Sequence, residues 1–146
     1  MKHLICSAFA GTALLFVLAG CFGGTSITKM EAVPPGEVFN NRHVIGVVKA
    51  ENRGAFLFNC IPLWTGKPYA PNYRSYAMFR NYLKSGYMDE MLAEEARIHD
   101  AQKVAVFSLS EYSSGWFSLW LVWNRQMRAE GLALGPPVSG AEKDEQ

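Results

Sequence analysis

Fifteen residues, Leu4 to Leu18, form an apolar run broken only by Ser7, Gly11 and Thr12, behind the short basic start Met1-Lys2-His3. As a helix rising about 1.5 Å per residue, such a run covers roughly 22 Å, short of the ~30 Å hydrocarbon core of a bilayer. It therefore reads as the apolar region of a signal peptide rather than a durable membrane span. This assignment limits everything downstream, because it takes residues 1–20 out of the foldable chain. The composition confirms how much it distorts the mean: hydrophobic residues make up 49% of the 146, yet a block of them sits in the leader. What remains is enough for one small domain and too little for a two-domain enzyme.

The leader ends in Leu18-Ala19-Gly20-Cys21, which resembles the lipobox of bacterial lipoproteins. Ala19 and Gly20 are small enough to lie extended in a peptidase groove, and Cys21 offers a nucleophilic sulfur. The resemblance implies cleavage between Gly20 and Cys21, diacylglycerol on the Cys21 thiol and an N-acyl chain, commonly palmitate, on the new amino terminus. It implies no other cofactor. Two or more acyl chains anchor a protein stably where one does not, so the membrane itself is the first expected partner. Phe22 follows the cysteine, and the Asp that commonly retains such proteins at the inner membrane is missing. The expected location is thus the bacterial cell membrane or envelope, with the periplasmic face of the outer membrane favoured in a diderm host.

Charge excludes another class of partner. The chain carries 14 Lys plus Arg against 13 Asp plus Glu, and its pI is about 7.7, whereas nucleic-acid binders usually show a basic face and a pI above about 9. No nucleic-acid partner is expected. Loss of Lys2 with the leader leaves the mature chain formally balanced. Cys6 leaves too and Cys21 is committed to lipid, so Cys60 is the one ordinary thiol and no disulfide framework can form. Lying between Phe58 and Ile61, Cys60 reads as a core thiol.

Residues 21–41, with Gly23-Gly24 and Pro34-Pro35-Gly36, read as a lipidated N-terminus and flexible tether, and residues 135–146 as a disordered polar tail. The folded domain is expected over 42–134. Within it, His43 to Lys49 and Gly54 to Cys60 read as strands of a hairpin turning at Glu51-Asn52-Arg53-Gly54. Ile61 to Asn72, with three prolines, reads as a loop. Tyr73 to Leu83 has apolar residues near helical spacing, and Met88, Met91, Leu92, Ala96 and His99 form the apolar stripe of a second helix. Lys103 to Tyr112 and Trp116 to Trp123 read as a closing pair of strands, and Gln126 to Leu134 as an extension or a further short strand. The expected fold class is α+β, a small two-layer domain with helices on one face of a mainly antiparallel sheet. The order of apolar strand, Ile-Pro-Leu loop, helix and closing hairpin over about residues 43–123 also resembles small uncharacterised bacterial lipoproteins, a likeness that supports the fold class and assigns no activity.

Chemistry is sparse. His43 and His99 are the histidines of the mature chain, and CxxC, HExxH, GxSxG and a phosphate-cradling glycine loop are all missing from the sequence. No metal site and no catalytic residue is expected; a thiol enzyme built on Cys60 and a histidine is a third-ranked reading. Glu90 and Glu94 read as a solvated helix face. Aromatics stand out instead: Tyr69, Tyr73, Tyr76, Phe79, Tyr82 and Tyr87 fall within 19 residues, with Trp64 before them and Trp116, Trp120 and Trp123 after. Most are expected to fill the core, while Trp64 and Tyr69, in the loop, are the expected contact surface. The favoured function is a non-enzymatic, membrane-anchored interaction or structural module that meets an envelope protein. The alternative is a small-ligand or lipid-binding lipoprotein with an aromatic pocket between sheet and helices.

Overall fold

One strand organises the molecule, and its sequence shows why. From Val44 to Gly54 every second residue is buried (Val44, Gly46, Val48, Ala50, Asn52, Gly54), while the residues between them are half-buried or carry charge. That period of two continues without a break through Glu51-Asn52-Arg53-Gly54, so the chain stays extended where a turn was expected. The computed structural model describes residues 24–68, 76–115 and 120–138. Its elements are β1 (Thr25–Ala32), β2 (Val38–Phe39), β3 (Arg42–Leu57), β4 (Ile61–Gly66), β5 (Tyr76–Met78), α1 (Ser85–Ile98), β6 (Lys103–Ser114) and β7 (Val122–Pro137).

All seven strands join one antiparallel sheet. The main path is β5-β4-β3-β7-β6, and β1 and β2 also pair with β3. One edge of β3 meets β7 along almost its whole length, from Arg42 opposite Pro137 to Leu57 opposite Val122. Its other edge is shared end to end: β2 at Arg42 and His43, β1 from Gly46 to Arg53, and β4 from Gly54 to Leu57. A strand hydrogen-bonded on both sides has its backbone groups satisfied in the extended state, which outweighs the local turn tendency of Asn52 and Gly54. The Asn52 side chain is itself absorbed, donating to the carbonyls of Gly66 (3.1 Å) and Tyr82 (3.3 Å).

α1 covers the inner face. Met88, Met91, Leu92 and Ala96 are buried, as their spacing predicted, and pack on Val48, Ala50, Phe56, Met127, Ala129 and Ala133. Small residues on the sheet let the helix come close, so its methionines and Leu92 fill the layer. Burying each of Phe56, Met88, Met91 and Leu92 contributes about 1.5–3 kcal/mol before entropy is counted. Ser26 and Thr28 tie β1 to the helix, Thr28 Oγ1 donating to Glu95 at 2.8 Å.

The α+β expectation is corrected by this architecture. Strands hold 61% of the described residues and helix 13%, in one helix, so the fold is largely β. Six segments depart from expectation. The stretch expected as a tether carries β1, whose Ser26, Thr28 and Met30 face inward while Ile27, Lys29 and Glu31 face out, and β2, which turns into β3 through Asn40 and Asn41 at φ 49° and 56°. The expected hairpin is the single strand β3. Ile61–Gly66 is strand rather than loop, with Pro62 accommodated where the β3–β4 register shifts. Of the expected helix Tyr73 to Leu83, residues 73–75 lie outside the described residues, and Tyr76–Met78 pairs with β4 instead. Of the expected strand Trp116 to Trp123, residues 116–119 lie outside the described residues and strand begins at Val122. At the far end β7 runs to Pro137 and Val138 donates to the Asn41 carbonyl at 2.8 Å, so the ordered sheet extends past the expected limit of 134; residues 139–146 lie outside the described residues.

Candidate functional site

The outer face of the sheet, away from α1, is a field of paired charge. Glu31 sits between Lys29 (2.8 Å) and Lys49 (2.7 Å), and Glu51 pairs with both Arg53 and Arg128. The two lysines donating to Glu31 hold its carboxyl down to about 2, against an ordinary 4.5, and Glu31 in turn raises Lys49. A groove of about 390 Å³ runs through this field, lined by Ile27, Lys29, Lys49, Glu51, Arg53, Arg128 and Glu130. Four of its cations are already engaged by two carboxylates, which suits a solvated face better than capture of an anion.

A second surface is apolar and runs along β4 and β5, from the turn where β3 becomes β4 up to Gly66; exposed apolar side chains also occur on β6, at Val106, Phe107, Leu109 and Tyr112. The turn Leu57-Phe58-Asn59-Cys60 is closed by the Cys60 amide donating to the Leu57 carbonyl at 3.2 Å, with Phe58 and Asn59 both left-handed (φ 50° and 62°). Phe58 also donates its amide to Leu121 at 2.8 Å, which brings the start of β7 beside the turn. On the other side β5 lies along β4, Tyr76 opposite Gly66 and Met78 opposite Trp64, and the Phe79 amide donates to the Leu63 carbonyl at 3.1 Å. The result is a run of exposed side chains: Phe58 (58%), Ile61 (49%), Tyr76 (55%), Met78 (57%), Phe79 (70%) and Trp120 (59%). Contiguous exposed apolar side chains of this kind mark contact surfaces. Three of them, Phe58, Phe79 and Trp120, hold positive φ (50°, 55° and 66°), a region that costs a bulky residue about 1–2 kcal/mol.

The residues expected to carry function fall unevenly. Gly20, Cys21 and Tyr69 lie outside the described residues. Trp64 is half-buried in β4, paired across from Ala55 and Met78, so it belongs to the apolar end of the sheet but not to a loop. Cys60 is exposed at the turn, its Sγ 3.7 Å from the Leu57 carbonyl, which corrects its reading as a core thiol. Neither histidine is near it: His43 starts β3, about 45 Å of extended strand from Leu57, and His99 follows α1 at the same end of the sheet as His43, 3.6 Å from Glu95. Glu94 is engaged by Arg97, which lowers its pKa. Among the described residues, no group of three or more metal-ligating side chains comes together.

Sequence reasoning saw the aromatics but missed Phe58, Met78 and Phe79 as surface. Phe58 lies in a stretch that reads as an apolar strand of the core, Ile61 starts the stretch that reads as a contact loop, and Met78 and Phe79 fall within the stretch that reads as a helix. The available signal was Asn59, a residue that tolerates left-handed backbone and so marks a turn. No protein-family model, curated protein or solved structure matches the chain.

Proposed function

We propose that this chain is a lipoprotein of the bacterial cell envelope, held on its membrane by acyl chains at Cys21, whose β domain is a non-enzymatic contact module. The observation that carries the reading is Leu18-Ala19-Gly20-Cys21 at the end of the apolar run Leu4 to Leu18. The described structure supports contact over enclosure, because the layer between sheet and helix is occupied by Phe56, Met88, Met91 and Leu92, none more than 1% exposed. It supports contact over catalysis through the separation of Cys60 from both histidines. Mass spectrometry of the protein purified from native membranes tests the anchor: the expected species begins at Cys21 with diacylglycerol on sulfur and an acyl chain on nitrogen. An intact leader with an unmodified Cys21 overturns it.

A further inference from the structure

We propose that the apolar end formed by Phe58, Ile61, Tyr76, Met78 and Phe79 sits in the surface of the same bilayer that holds Cys21. The proposal rests on the lipoprotein reading above and adds an orientation and a ligand, the interfacial layer of phospholipid.

The length of chain before the sheet carries the argument. Gly24 is buried against the end of β4, so closely that a Cβ there would lie 2.8 Å from the Thr65 carbonyl carbon and 2.9 Å from the Gly66 nitrogen. Three residue steps separate it from Cys21, at most about 11 Å of chain. A headgroup layer is about 5–8 Å deep on each side of the hydrocarbon core, so an anchored Cys21 leaves the domain no room to stand clear. Some face of it must touch lipid.

Which face is decided by what meets the exit point. The chain leaves the sheet between β1 and β4, where Gly66 lies opposite Tyr76, and from Gly66 the apolar end extends along β4 to Ile61, about 17 Å away. On the other side of the exit lies the charged outer face, where docking would strip water from the ion pairs of Glu31 and Glu51. The five large side chains of the apolar end carry no charge to strip of water and gain burial there. Exposed Lys67 and Arg80 flank it, placed to let their long stems lie along the apolar surface while their charges reach phosphates. The left-handed backbone at Phe58 and Phe79 fits the same account, since it holds aromatic rings outward at positions where glycine or asparagine would cost less.

Cys60 supplies the probe, because it is exposed at the turn between Phe58 and Ile61 and the Cys21 sulfur is blocked by lipid. The mature acylated protein, nitroxide-labelled at Cys60, is reconstituted into vesicles of phosphatidylethanolamine and phosphatidylglycerol, and collisions with oxygen are compared with collisions with a water-soluble nickel chelate. The expected result is a several-fold higher oxygen-to-nickel ratio than for a label at Glu90→Cys in a Cys60→Ser background, on the exposed polar face of α1. Met78→Ser with Phe79→Ser, both more than half exposed, is expected to return the Cys60 label to the aqueous ratio with the far-ultraviolet spectrum unchanged. Mass spectrometry of the same sample separates the two ideas. Acylated Cys21 with a Cys60 label that stays aqueous overturns the docking and leaves the lipoprotein reading intact, whereas unmodified Cys21 overturns both. A label shielded from both reagents means contact with a second copy of the chain, and overturns the bilayer as occupant.

Discussion

Glu31 shows how an exposed residue is tuned by its charged neighbours alone. Its carboxyl is held at about 2 by hydrogen bonds from Lys29 and then Lys49, below the 4.5 expected in the unfolded chain. A lowered folded pKa means that the stabilisation is fully present above 4.5 and is lost as pH falls from there toward about 2. Urea unfolding of the wild type and Glu31→Gln is therefore expected to show a gap in midpoint at neutral pH that closes on acidification and shrinks with added salt. A gap independent of pH would mean that the lysines stabilise by packing alone. Phe58 is the opposite case, a residue that works against the fold. At φ 50° its left-handed backbone costs about 1 kcal/mol, and Phe58→Gly is expected to raise the urea midpoint by a corresponding amount while weakening the contact of the Cys60 label with lipid. A lowered midpoint would show that the ring packs on the sheet more than its exposure suggests.

At the scale of elements, the junction of β1 and β4 matters most. The two strands lie end to end along one edge of β3, Thr25 opposite Arg53 and Thr65 opposite Gly54, and their meeting point is closed by glycine. A Cβ on Gly66 would fall 2.4 Å from the Thr25 carbonyl carbon and 2.6 Å from Asn52 Oδ1, so backbone rather than a flexible side chain would have to yield. Gly66→Ala is expected to cost about 1–3 kcal/mol and to speed amide exchange at the start of β1 more than in β7. Exchange that rises equally in both strands would mean that the junction is part of the global unit and not a separate latch. The helix needs no such device: its apolar stripe, Met88, Met91, Leu92 and Ala96, was visible in the spacing because a helix on a sheet buries one face and solvates the rest.

For the molecule as a whole, the sequence was legible wherever local pattern and tertiary environment agreed. α1 and β6 appear close to their expected positions, since an amphipathic stripe and a β-branched run each carry their own period. β1 was not legible: Thr-Ser-Ile-Thr-Lys-Met-Glu-Ala is mostly polar, and it becomes a strand because β3 offers it an unpaired edge. The continuity of β3 was hidden for the same reason, its turn-prone middle being held extended by β1 on one side and β7 on the other. The apolar end was half legible, as a surplus of aromatic residues without a location. Pairing of β5 with β4 and the left-handed turn at Phe58 and Asn59 bring those side chains to one end, and neither can be read from spacing because both depend on residues distant in the chain.

By itself the sequence determined the near-neutral charge balance and the face that α1 buries, and it carries the apolar run and the Leu18-Ala19-Gly20-Cys21 motif on which the lipoprotein proposal rests, because each is a property of composition or of a few adjacent residues. Only the tertiary structure decided that the sheet begins at Thr25, four residues after Cys21, that Cys60 is exposed, and that the apolar stretch along β4 and β5 starts where Gly24 meets the end of β4. Those are consequences of strand pairing, and strand pairing satisfies backbone groups through partners that the local sequence does not contain.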